Sequence, residues 1–214
     1  MTRLFILVAM LSASLSMTAR DTVPPDTIVI PDYIQFPGDE GFEPAMAEID
    51  ATIPILGLPE IDVERMYRFV ADQNPDFDRK IAEAFYEIGH DYGVRGDIAL
   101  CQAILETGWF AFTGGTAVTP DQHNYCGLGV TKLGMKGHSF ESIDEGVTAH
   151  IQHLYAYASK HPLPSGHKVI DPRFKMVKRG TASTWADLNY RWAMNDKYGQ
   201  HIILLYNRMA AFRF

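Results

Sequence analysis

Cysteine is scarce: Cys101 and Cys126 are the only two in 214 residues. A disulfide-dense scaffold is therefore excluded, and the pair reads either as one bridge or as two buried small apolar side chains. A basic excess is also missing. Nineteen Lys and Arg stand against 26 Asp and Glu, a formal net charge of -7, which gives no electrostatic footprint for nucleic acid. A membrane-length apolar run is absent too. The run Leu4–Leu11 is too short for a comfortable span. No internal repeat or low-complexity block occurs. What remains is an ordinary globular balance, 47% hydrophobic and 21% charged, enough for one domain with a tail.

The N-terminus has a recognisable order. Arg3 precedes the run from Leu4 to Leu11, and Ser12, Ala13, Ser14 and Ser16 follow. A charged start, an apolar middle and small residues form a secretory signal pattern, with cleavage expected after Ser16 or Ala19. No cysteine follows to accept a lipid. The chain is thus expected to cross the inner membrane to a periplasmic or extracellular location, with no integral span after cleavage. Residues 20–60 form a second segment, with seven of the twelve prolines. Proline removes backbone donors and fixes φ, so regular structure is interrupted. Ile28-Val29-Ile30 and Ile53-Pro54-Ile55-Leu56 are nonetheless apolar, so the segment is either a tether or an extended arm lying on the domain.

From residue 61 onward the pattern is helical. Asp62 predicts a helix to about Ala71, with Val63, Met66, Tyr67 and Val70 on one face. Asp78 predicts the next, carrying Ile81, Phe85, Ile88 and Tyr92. Gly93–Gly96 reads as a turn, Asp97 opens a third helix, and Gly108 ends it. Residues 110–142 are rich in glycine and predict a separate lobe with short extended pieces, such as a small hairpin at Leu128-Gly129-Val130. Ser142 or Asp144 starts a helix to Ala158. Thr184 starts a short helix at Trp185, and a last helix uses Ile202, Leu205, Tyr206 and Met209.

The chemistry centres on Ile104-Leu105-Glu106-Thr107-Gly108-Trp109. Glu106 falls in the last turn of the third helix, flanked at helical spacing by Gln102 and Trp109. The negative end of a helix disfavours a carboxylate, and a neighbouring indole desolvates it. Both raise its pKa, as a general acid near neutral pH requires. His150 and His153 have a metal-binding spacing, but no third ligand accompanies them; a surface or interhelical role is expected, and no metal or cofactor. His123, Cys101 and Cys126 do not make a cysteine-protease pair, because Cys101 falls mid-helix in an apolar setting that disfavours a thiolate. Trp109 is placed toward the cleft and Phe112 in the core.

The segment Leu105-Glu106-Thr107-Gly108-Trp109, followed by Asn124-Tyr125-Cys126-Gly127-Leu128-Gly129, resembles the glucosaminidase family of peptidoglycan hydrolases (glycoside hydrolase family 73, mannosyl-glycoprotein endo-beta-N-acetylglucosaminidase-like). The resemblance runs from about Ile81 to Met209. It includes Arg95-Gly96-Asp97, Lys136-Gly137, Ile151-Gln152-His153-Leu154, Asp171-Pro172-Arg173-Phe174 and Val177-Lys178-Arg179-Gly180. It implies an all-α, lysozyme-like domain over residues 61–214, with the glycine-rich lobe across a cleft. It also implies hydrolysis of the β-1,4 bond after N-acetylglucosamine in peptidoglycan glycan strands, by a monomer without cofactor. Glu106 matches the family's proton donor. Asn124, Tyr125 and Gly127 match the segment that helps hold the sugar, and Trp109 is a substrate-binding candidate beside them. Trp192-Ala193-Met194-Asn195-Asp196-Lys197-Tyr198 stands where the family often has Tyr-Ala-Thr-Asp-x-x-Tyr. Trp192 becomes a candidate sugar platform and Tyr198 a candidate catalytic tyrosine, while Asn195 replaces the usual Asp.

A second catalytic carboxylate is harder to place. No acid lies between Gly129 and Phe140. Glu141 is the best remaining candidate, since Asp144 and Glu145 suit the start of a helix. Otherwise the substrate's own acetamido group serves as nucleophile. The competing readings are a lytic transglycosylase on the same fold and a non-catalytic glycan-binding domain.

Overall fold

The computed structural model describes residues 48–113, 117–131 and 135–214. The signal-like run and most of the proline-rich segment lie outside these residues. Five helices follow in order: α1 (Val63–Gln73), α2 (Arg79–Tyr92), α3 (Gly96–Thr107), α4 (Ile143–Ala158) and α5 (Tyr198–Ala211), with 3-10 turns at Pro120–Gln122 and Ala186–Leu188. The expected all-α class holds: among the described residues the only β pairing is three isolated bridges. No helix among them is long and apolar enough to cross a membrane.

The helix starts follow from capping chemistry. Asp62 accepts from the backbone N–H of Arg65, Asp78 from that of Lys80, and Ser142 from that of Glu145. Each carboxylate or hydroxyl satisfies an N–H that the helix itself leaves unpaired. α3 differs in kind. Every one of its residues is buried except Glu106. A helix that is apolar all round belongs at the centre of a fold, and α3 packs against α1, α2, α4 and α5. The centre of the domain is thus a rod whose one incompletely covered side chain is an acid.

Close packing of that rod is built on Gly96. A Cβ there would stand 1.9 Å from the carbonyl oxygen of Phe85 in α2. Backbone on both sides leaves nothing to yield, so Gly96→Ala is expected to destabilise the fold by about 3 kcal/mol or more, read as a lowered midpoint in urea unfolding.

The described end of the proline-rich segment lies on the domain as an extended strip. Ile55 is fully buried. Its N–H donates to the Ser183 carbonyl, and its carbonyl accepts from Arg95 N–H, at 2.9 and 3.0 Å. The carbonyls of Ala51 and Ile53 accept from Ala186 and Trp185. The strip therefore ties the turn before α3 to the segment that leads into α5.

The glycine-rich lobe corrects one expectation. No hairpin forms at Leu128-Gly129-Val130. Gly127, Gly129 and Gly137 take left-handed φ values of 65°, 87° and 69°, which a strand cannot accommodate. Side chains replace the missing ladder. Asn124 donates to the carbonyls of Leu128 and His138 and accepts from Leu128 N–H, all at 2.9 Å. Gln122 donates to the Lys136 carbonyl at 2.7 Å. Neither cysteine is bonded: Cys101 and Cys126 are free and buried.

Candidate active site

α3 delivers Glu106 one residue before its end, and Gly108 stops the helix in a left-handed conformation with φ 59°. Trp109, Phe110 and Phe112 also have positive φ values, of 59°, 58° and 52°. Non-glycine residues adopt this region at a cost, and such strain gathers at functional sites. The turn is pinned by Thr107, whose hydroxyl donates to the Ala103 carbonyl at 2.6 Å and accepts from Phe110 N–H at 2.9 Å. The chain leaves α3 abruptly at this turn.

The carboxyl itself is half-buried. Its Oε1 accepts two hydrogen bonds, from Trp192 Nε1–H at 3.1 Å and from the Tyr198 hydroxyl. Oε2 has no hydrogen-bond partner among the described residues. Burial pushes the pKa of Glu106 up to about 8, against the two donors, which favour the carboxylate. At neutral pH the group is therefore mainly the neutral acid. The lobe approaches the same point. Burial, and then the nearby Glu106 charge, raise the Cys126 thiol well above its usual range, so Cys126 stays a neutral, unreactive lining.

The other candidates fall in varied places. Tyr198 is the first residue of α5, 2% exposed, and bonds Glu106 directly. Trp192 is not an open sugar platform. It is 0% exposed, with His150, His153 and Tyr157 against its ring at 5.7, 5.1 and 5.9 Å. Only its N–H edge serves the site. The indole that meets Glu106 thus comes from the C-terminal part of the chain and donates a hydrogen bond that favours the carboxylate, while Trp109 turns toward α1 and packs on Phe69 at 5.3 Å. Asn124 is wholly buried and spends its amide on the lobe backbone, which leaves it no free donor for a sugar. Tyr125 is buried between Phe85 and Phe110. Gly127 is buried at its left-handed turn. Glu141 is exposed just before α4, and its own N–H donates to the Glu145 carboxylate at 2.9 Å. Among the described residues no hydrogen bond joins it to Glu106.

Two site residues escaped the sequence reading. Gln102, named only as a flanking residue, donates from Nε2 to the Tyr198 hydroxyl at 2.8 Å, and its Oε1 meets His150 Nε2 at 2.9 Å. His150 is fully buried. The available signal was its place beside Val147, Ile151 and Leu154 on the inward stripe of α4. His153 pairs with buried Asp171, Nδ1 to Oδ2 at 2.7 Å. Among the described residues no group of three or more His, Cys, Asp or Glu could hold a metal.

Removing the Tyr198 hydroxyl gives a signed expectation. That hydroxyl stabilises the Glu106 carboxylate, so Tyr198→Phe raises the pKa of Glu106 further. The high-pH limb of the kcat profile, where the acid form is lost, is expected to move to higher pH than in the wild type.

Comparisons with known proteins give the family. An uncharacterized protein of Borreliella burgdorferi (strain ATCC 35210 / DSM 4680 / CIP 102532 / B31) is 38% identical over 152 residues, covering 69% of this chain and 72% of its own length. No solved structure matches. The Glucosaminidase family model, described as mannosyl-glycoprotein endo-beta-N-acetylglucosaminidase, matches residues 82–211, the stretch that carries Glu106 and both of its hydrogen-bond donors. The chain belongs to the glucosaminidase family and is a glycoside hydrolase.

Proposed function

We propose that the protein hydrolyses the β-1,4 bond after N-acetylglucosamine in peptidoglycan, with Glu106 as general acid. The observation that carries this reading is the asymmetric carboxyl: Oε1 is held by two donors, Oε2 has no partner among the described residues, and burial raises the pKa to about 8. As the bond from the sugar C1 to the leaving oxygen breaks, the Oε2 proton passes to that oxygen. The charge left on Glu106 is met by Trp192 and Tyr198, already in place. One group thus begins as a neutral acid and ends as a supported carboxylate.

The charged start, apolar run and small residues at the N-terminus support export, so the action is placed outside the inner membrane, on glycan strands of the wall. The chain acts as a monomer and needs no cofactor. C1 is then attacked either by water, with Glu141 as base, or by the substrate's acetamido oxygen. The first inverts the anomer and the second retains it, so proton NMR of fresh product separates them.

Mass spectrometry of digested cell wall tests the main claim. Fragments ending in reducing N-acetylglucosamine are expected. A 1,6-anhydro product would overturn the reading in favour of a lytic transglycosylase.

A further inference from the structure

The general acid lies at the end of a hydrogen-bond chain with a definite direction. An amide oxygen only accepts, so His150 Nε2 must be the donor to Gln102 Oε1. Gln102 Nε2 donates to the Tyr198 oxygen, and the Tyr198 proton goes to Glu106 Oε1. The four groups come from α4, α3, α5 and α3, and every bond points toward Glu106.

The reverse direction would require Gln102 to turn over and the His150 proton to move to Nδ1. Among the described residues that nitrogen is buried without a partner. The imidazole that carries it packs against the Phe85 ring of α2 and the Trp192 ring, with centroid separations of 5.5 and 5.7 Å. A bare acceptor there is tolerable, whereas a stranded N–H costs more. The apolar end of the chain therefore selects one direction for the whole of it.

We infer that Gln102 and His150 are positioning residues that fix the proton of the general acid on Oε2. With the Tyr198 proton committed to Oε1, alongside that of Trp192, Oε1 has no place for the acid's own proton. If Tyr198 were free to turn, Glu106 could donate from Oε1 to the tyrosine oxygen. The proton would then sit on the buried side, away from a leaving group. The other titratable neighbours leave this polarity undisturbed. Cys126, facing from the lobe, is held neutral by burial. His153, the next turn of α4, spends its Nδ1 on Asp171. Burial, then His153, hold His150 down to about 3, hence neutral with a single ring proton.

This inference rests on the reading of Glu106 as the acid, and its test has one readout independent of activity. Protein labelled with 13C at the glutamate carboxyl is titrated by NMR, with Glu106 assigned from Glu106→Gln. In Gln102→Met, similar in size but unable to orient Tyr198, the Glu106 midpoint is expected to rise in the direction of Tyr198→Phe. On soluble glycan, kcat is expected to fall about tenfold with KM unchanged. His150→Phe, which releases the Gln102 amide to turn, is expected to shift both in the same direction by less. If Gln102→Met does not fold, His150→Phe decides alone. A folded variant whose Glu106 midpoint matches the wild type overturns the relay. A shifted midpoint in a protein whose wild type cleaves no glycan keeps the relay and removes the functional reading instead.

Discussion

Glu106→Gln is expected to lower glycan cleavage by about 10³-fold while leaving the fold as stable as the wild type or more so. The amide keeps the volume of the carboxyl, and its oxygen can still accept from Trp192 and Tyr198. What it lacks is a transferable proton. The stability expectation follows from burial: the site raises the pKa of Glu106 to about 8 because it disfavours the charge, and an amide carries none. In the wild type the acid form is the active one. Activity governed by Glu106 is therefore present below about pH 8 and lost as the pH rises through it. Kinetics across this range, with a melting curve for each protein, check both halves. A folded Glu106→Gln with wild-type cleavage would remove Glu106 from the chemistry.

Asp97→Ala is expected to cost about 3–5 kcal/mol, a large share of the stability of a domain this size. Asp97 is fully buried. It holds Arg95 through two bonds, Nε to Oδ1 at 3.0 Å and Nη2 to Oδ2 at 2.9 Å. Burial works against the charge on Arg95, and Asp97 overcomes it, so the guanidinium pKa is raised. The same carboxylate accepts from the N–H groups of Glu60 and Ile61, at 2.9 and 3.2 Å. Alanine would strand a buried cation and two backbone donors together. The exposed Glu60 carboxylate, 2.9 Å from Arg95 Nη1, cannot replace it. Urea unfolding should show the loss, and Asp97→Asn, which keeps an acceptor oxygen, should lose less. An Asp97→Ala midpoint within 0.5 kcal/mol of wild type, about the noise of a surface change, would refute the assignment.

Legibility in the sequence followed the range of the interactions. The starts at Asp62, Asp78 and Ser142 were readable because a cap and the N–H it satisfies lie two or three residues apart. The end of α3 at Gly108 was readable for the same reason, since a left-handed cap is a property of one residue. Glu106 stood out as an acid at a helix end just before a glycine. The hairpin expectation failed at Gly129 because the bonds that organise the lobe come from Asn124 and Gln122, side chains that reach across to residues 136–139. Trp192 was read as a platform because an aromatic residue in a family motif does not say which of its faces is free.

By itself the sequence determined the helices, the caps at Asp62, Asp78 and Ser142, the family and the candidate acid. All of these rest on residues close together in the chain or on a motif read in order. The tertiary structure alone decided which indole touches Glu106, which carboxyl oxygen the donors hold, and that Gln102 and His150 stand behind Tyr198. Trp192 and Tyr198 are 86 and 92 residues from Glu106 in the chain, and His150 is 48 from Gln102. Only packing α3 among α4, α5 and the segment before α5 sets the direction in which each of those hydrogens points. On the proposed reading, that direction leaves the proton of a buried glutamate free to be given away.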